Sequence, residues 1–234
     1  MKKYTCIPWS FFFALVGILL LGCRPEPTLQ LTKGTRIALV GNNLGSRMME
    51  FGGLETELHL RYPDSTLFIR NLCDPGDTPG FRPRSGTNDP WAFPGAEQFQ
   101  DEYATNSGSE GFFEKPDQWL TRLQADVVIG FFGFNESFQG EAKLQNFKEE
   151  LEAWILHSKA QRYNGKAAPQ LALVSPIAFE DLSEIKDVPN GKLENENLLR
   201  YTEAMEEVAK KHQVVFVDAF TPSKKWYAST DEPL

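Results

Sequence analysis

Along the chain, short apolar runs alternate with longer stretches in which apolar residues recur every three or four positions. The runs RIALV (36–40), LFIRN (67–71), DVVIGFF (126–132), QLALVS (170–175) and VVFV (214–217) predict five strands. Leu44 to Arg61 predicts a helix with Leu44, Met48, Phe51, Leu54 and Leu58 on one face, although Gly52-Gly53 weakens it. Pro116 to Gln124 predicts a short helix with proline at its start. Glu141 to Ala160 carries Leu144, Phe147, Leu151, Trp154 and Ile155 on one face, and Leu193 to His212 carries Leu198, Tyr201, Met205 and Val208. Strands that are apolar throughout are buried on both faces, and strands alternating with helices form βαβ units on a parallel sheet. The predicted fold class is therefore α/β, a three-layer α/β/α sandwich around a five-stranded parallel sheet.

In such sheets ligands bind at the carboxyl ends of the strands. That directs attention to the loops starting at Gly41, Leu72, Gly133, Pro176 and Asp218. The loop from Leu72 to Lys115 is long and rich in Gly, Pro, Asp and aromatic residues, and loops of that length in a compact domain are often functional. Three of the loops open with glycine- and amide-rich turns: Gly41-Asn42-Asn43-Leu44, then Asn71 to Thr78, then Gly133-Phe134-Asn135-Glu136-Ser137. A parallel sheet gathers these turns on one edge, where backbone N–H groups and asparagine side chains suit an oxyanion hole.

Composition narrows the partners. The chain has 234 residues, 41% hydrophobic and 24% charged, which fits one globular domain with extras. Residues 1–22 begin with two lysines, continue through an apolar run from Phe11 to Leu21 and end on glycine, the pattern of a secretory signal too short to span a bilayer comfortably. Leu20-Leu21-Gly22-Cys23 also resembles a bacterial lipobox, which implies cleavage before Cys23 and lipid on its thiol; an ordinary signal with a chance cysteine is the alternative. Residues 23–35 read as a polar tether and 36–234 as the folded domain, an exported domain anchored to a membrane through its lipid. Of the 24 basic residues two lysines lie in the signal, so 24 − 2 = 22 face 32 acids for a net charge of −10, which argues against nucleic acid. Only Cys73 then remains free, no cysteine or histidine spacing suits zinc, and His59, His157 and His212 are scattered, so no metal or cofactor is expected.

Taken together, the turns resemble the blocks of the SGNH (GDSL) hydrolases. Gly41-Asn42-Asn43-Leu44 matches the Gly-Asp-Ser-Leu block that carries the nucleophile, Gly76-Asp77-Thr78 matches the second block, and Gly133-Phe134-Asn135-Glu136 matches the Gly-x-Asn-Asp block. Order and strand positions agree over residues 35 to about 230. Phrases such as FFGFNESF, LALVSPIAFEDL and YTEAMEEVAKK look closest to SGNH-like domains that precede sugar-dehydrogenase-like and haem-binding domains in large secreted bacterial proteins. The resemblance implies a flavodoxin-like sandwich of the SGNH type and hydrolysis of an ester or acetylated carbohydrate. It places Gly76 and Asn135 in an oxyanion hole, and Asn42, Asp77 and Glu136 in the pocket.

Two departures bear on catalysis. Asn43 stands at the nucleophile position, and an amide is no nucleophile for an ester carbonyl. Ser46, one turn later, is the alternative nucleophile and Ser137 a weaker one. No histidine occurs in an Asp-x-x-His context like the family's final block; the fifth strand is followed by no evident helix, and that block is expected beyond Leu234, the alternative being that the base is absent. Two functions follow: an ester hydrolase, or a catalytically inactive module that binds a carbohydrate or similar ligand. The run Arg82-Pro83-Arg84-Ser85 reads as a solvated loop more than an anion site. Phe81, Trp91, Phe93, Phe99 and Tyr103 line a carbohydrate pocket or pin the long loop, and Cys73 reads as a small buried residue rather than a nucleophile.

Overall fold

The computed structural model describes residues 25–82, 90–100 and 115–229. Cys23, the signal segment, Arg84, Ser85 and Tyr103 lie outside these residues. Five strands form one sheet: β1 (Arg36–Gly41), β2 (Phe68–Asn71), β3 (Val127–Phe131), β4 (Gln170–Val174) and β5 (Val215–Val217). All pairings are parallel, in the order β2-β1-β3-β4-β5. The helices are α1 (Asn43–Phe51), α2 (Gly53–Arg61), α3 (Pro116–Leu123), α4 (Phe134–Ser137), α5 (Leu144–Ala160), α6 (Lys192–Lys211) and α7 (Phe220–Tyr227). The predicted parallel α/β sandwich is the observed one.

Side-chain alternation sorts the strands' two faces into two cores. Ala38, Val40, Val128, Leu171 and Leu173 point toward α3, α5 and α6, where Leu151, Ile155, Tyr201 and Met205 are fully buried. Phe147 and Tyr201 join α5 to α6 with ring centroids 5.0 Å apart. Ile37, Leu39, Val127 and Phe131 point the other way and are covered by Leu44, Met48, Leu54 and Leu58 of α1 and α2.

Two expectations need correction. The helix predicted over 44–61 is two helices, because Gly52 takes a left-handed conformation (φ +60) that ends α1 and restarts the chain as α2. Phe51, expected on the buried face, is the last residue of α1 and is 79% exposed. A helix does follow the fifth strand: Ser175 Oγ accepts the backbone N–H groups of Ala219 (2.9 Å) and Phe220 (3.2 Å), and Asp218 Oδ1 accepts that of Thr221 (2.9 Å). These bonds satisfy donors at the start of α7, and Phe220 packs with Ala178 and Leu198.

Candidate active site at the carboxyl edge

From β1 the chain crosses to β2 on one side and then to β3 on the other. The strand order reverses there, and the crevice of an open parallel sheet lies at that switch point. β1 ends at Gly41, whose φ is +113; a Cβ built there would lie 2.1 Å from the carbonyl oxygen of Phe131. Only glycine lets the two strand ends approach this closely. Asn42 follows: its N–H donates to Phe131 O (2.8 Å), and its own carbonyl accepts Ser46 N–H (3.0 Å) as α1 begins.

The three sequence blocks meet on one atom. The Asn42 side-chain amide donates to Asp77 O (3.2 Å) and to Glu136 Oε2 (3.3 Å), and the Asn135 amide donates to the same Asp77 O (3.3 Å). Gly76 lies in the turn immediately before Asp77. The structure thus brings together Asn42, Gly76, Asp77, Asn135 and Glu136. The Asp77 carboxylate is buried, with Oδ2 3.2 Å from Arg82 Nε, an ion pair without aligned hydrogen-bond geometry. Arg82 is not on a solvated loop. It is 7% exposed, lies over the Trp119 ring at 4.6 Å, and donates from Nη2 to Leu72 O at 2.9 Å.

Glu136 is wholly buried. Its Oε2 also accepts Gly133 N–H at 2.9 Å, while Oε1 has no hydrogen-bond partner. Burial pushes its carboxyl up to about 8, and the carboxylates of Glu150 and Asp77 add to the effect. The group is therefore mostly protonated at neutral pH. Burial and, secondarily, Glu136 raise the Tyr201 hydroxyl to about 12, and that hydroxyl donates to Gly140 O at 2.9 Å.

Asn43 is the first residue of α1 and half-buried; its Oδ1 is enclosed without a hydrogen-bond partner. Ser46 is 6% exposed and its hydroxyl donates to Asn43 O (3.0 Å); Ser137 likewise donates to Phe134 O (2.7 Å). Cys73 is 7% exposed, and burial raises its thiol far above the usual range. It fills the space beside Gly45, where an added Cβ would lie 2.3 Å from Sγ.

Glu150, on the inner face of α5, was not legible as a site-supporting residue. Its Oε1 accepts Thr78 Oγ1 (2.7 Å), Gly80 N–H (3.0 Å) and Gln100 Nε2 (2.9 Å), which straps the loop after β2 onto the helix. Phe93 (5% exposed) and Phe99 pin this loop to the core. Phe81 and Trp91 form an isolated antiparallel bridge, their rings 5.5 Å apart.

All three histidines lie away from the edge. The helices run back toward the sheet's amino end, so residues near their C-termini are remote from the crevice. His59 is near the end of α2, 3.8 Å from Glu55. His157 is near the end of α5 beside Asp117 (2.9 Å), and His212 follows α6 beside Glu152 (3.0 Å). Among the described residues no group of three or more His, Cys, Asp or Glu side chains could hold a metal.

No protein-family model matches the sequence, and no curated protein matches it. Solved structures do resemble the fold. The acetylxylan esterase of Geobacillus stearothermophilus superposes with a TM-score of 0.54 at 11% identity, over 86% of this chain and 84% of that one. Catalytic mutants of that esterase are altered at a serine, an aspartate or a histidine. A GDSL-like lipase candidate from Parabacteroides merdae gives a TM-score of 0.50 at 15% identity, over 82% and 80% of the two chains. A gut microbial diltiazem-metabolizing enzyme gives 0.51 at 16% identity, over 84% of this chain and 39% of that larger one. The chain has the α/β sandwich fold of the SGNH/GDSL-type esterases.

Proposed function

We propose that the carboxyl edge holds an ester or acetylated carbohydrate in the SGNH/GDSL manner, and that it recognises this ligand without forming an acyl-enzyme. The observation that carries this reading is Asn43 at the start of α1. It stands where the family's serine would be, and the nearby hydroxyls of Ser46 and Ser137 are bonded into their own turns. In this reading the Gly76 backbone and the Asn135 amide are the donors toward the ligand carbonyl. Asn42, Asp77 and Glu136 are the buried scaffold that aims them. The domain acts outside the cytoplasm, tethered through a lipid on Cys23.

Hydrolysis is the second reading, supported by the fold shared with esterases. It needs a general base at the edge, and His59, His157 and His212 are all turned elsewhere. Calorimetry with acetylated xylooligosaccharides, run beside a p-nitrophenyl acetate assay on the full chain, separates the two. Binding that Asn43→Trp weakens at least tenfold, with acetate released no faster than in buffer, supports the recognition reading. Acetate release that Asn43→Ala or Ser46→Ala abolishes would make the domain an enzyme. No binding of any acetylated sugar would overturn the site.

A further inference from the structure

A cavity of about 600 Å³ opens between the loop at 91–97 and the start of α3. It is separate from the carboxyl-edge clasp and shares no residue with it. Trp91 and Phe93 supply aromatic wall; Glu97, Lys115, Asp117 and Gln118 supply polar wall. Aromatic faces beside a few fixed polar groups are the lining of a small-ligand site.

Its central feature is the Asp117 carboxylate. Tyr163, itself 4% exposed, donates its hydroxyl to Oδ1 at 2.8 Å, and His157 Nε2 lies 3.1 Å from Oδ1 and 2.9 Å from Oδ2. The His157 ring is in turn stacked on Phe93, with centroids 5.6 Å apart and planes at 28°. These contacts fix the carboxylate's orientation. Burial opposes its ionisation, but the hydrogen bonds from His157 and Tyr163 outweigh burial and hold the carboxyl below its usual range. A carboxylate offers about four lone-pair sites. Tyr163 and His157 occupy part of them, and the Asp117 side chain remains 35% exposed.

The result is a rigid, ionised acceptor in a cavity wall that also has a half-exposed indole. A pyranose ring matches both. Its hydroxyls donate to the carboxylates of Asp117 and Glu97 and bond the Gln118 amide, while its C–H face meets the electron-rich face of Trp91. Lys115 stands beside the two acids, so the wall carries charges of both signs and suits a neutral, hydroxyl-rich ligand better than an ion. We propose that this cavity is a saccharide subsite for a neutral pyranose, with Trp91 as the stacking platform and Asp117 as the hydroxyl acceptor. It needs no acetyl group and is independent of the carboxyl-edge reading.

Calorimetric titration of the full chain with unacetylated xylo-, cello- and manno-oligosaccharides of two to six units tests it. At least one series is expected to bind. Trp91→Ala should weaken that binding at least tenfold and Asp117→Asn severalfold, while Asn43→Trp leaves it unchanged. Because Asp117→Asn also disturbs Tyr163, the exposed Gln118→Ala serves as the milder variant, expected to lower affinity about twofold; it also removes the acceptor of the Lys115 N–H at the start of α3 (2.9 Å), so its thermal midpoint, expected to fall slightly, is measured beside its affinity. Absence of binding to all three series overturns the subsite, as does binding indifferent to Trp91→Ala and Gln118→Ala. Binding abolished by Asn43→Trp assigns the sugar to the carboxyl edge and also overturns it.

Discussion

Two buried glutamates, Glu136 and Glu150, flank the loop that carries Gly76 and Asp77, and they are satisfied very differently. Glu150 is an anchor: one oxygen accepts a hydroxyl, a backbone N–H and a side-chain amide from three points of the loop. Glu136 is a partner in a clasp: one oxygen accepts from Gly133 and Asn42, and the other is enclosed without a partner. Burial raises the carboxyl of both. The contrast shows how the edge is assembled. Glu150 determines where the loop lies, whereas Glu136 joins the turns after β1 and β3 once the loop is in place.

Removing the anchor should have the largest effect. Glu150→Ala leaves three donors without their acceptor and is expected to cost about 2–3 kcal/mol, since unsatisfied buried donors lose their full desolvation energy. Urea unfolding measures the loss, and limited proteolysis should show faster cutting within 78–100. An undiminished stability would mean that Phe93 and Phe99 hold the loop by themselves.

The clasp should show itself through pH. Between about 4.5 and about 8 the folded chain keeps on Glu136 a proton that the unfolded chain has released. Folding is linked to that proton, so stability falls as pH rises through this window and the loss is complete above it. Glu136→Gln should flatten the stability–pH curve measured by urea unfolding at pH 5, 6.5 and 8. An unchanged slope in that variant would assign the effect to Glu150, whose carboxyl is displaced in the same direction.

The smallest effect is expected at Ser46. Its hydroxyl makes one hydrogen bond to Asn43 O, so Ser46→Ala should cost about 1 kcal/mol or less in thermal or urea unfolding. Ligand affinity at the edge should be unchanged. A tenfold loss of affinity with stability intact would show that Ser46 reaches the ligand and that the edge is more than the clasp described.

Much of this was legible in the sequence. The five strands and the faces of α5 and α6 follow from periodicity; Leu151, Tyr201 and Met205 are fully buried as their spacing predicts. The three turn blocks were recognisable because glycine and asparagine are chosen locally for unusual backbone angles and short-range bonds. Four features were not legible. The helix after β5 was missed, and its first donors are held by Ser175 from the end of β4. Phe51 fell on the predicted apolar face, but a left-handed glycine ends the helix directly after it and the side chain is exposed. Arg82 looked like a solvated charge, but Trp119 and Asp77 enclose it from another part of the chain. Glu150 sat beside Glu149 with no local sign that a loop 50 to 72 residues earlier would cover it.

The sequence by itself determined the order of the five strands and of the long helices between them, the parallel sheet and the edge where the turns gather, because apolar period and turn chemistry act between near neighbours. It also determined that the turn after the first strand carries Asn43 rather than a serine. Only the tertiary structure decided that Asn42 and Asn135 meet on the Asp77 carbonyl, that Glu150 is an anchor, and that His157 supports Asp117 on the flank rather than serving the edge. The physical reason is that a polar side chain's burial and partners depend on which distant segment packs over it, and no pattern of neighbouring residues encodes that packing.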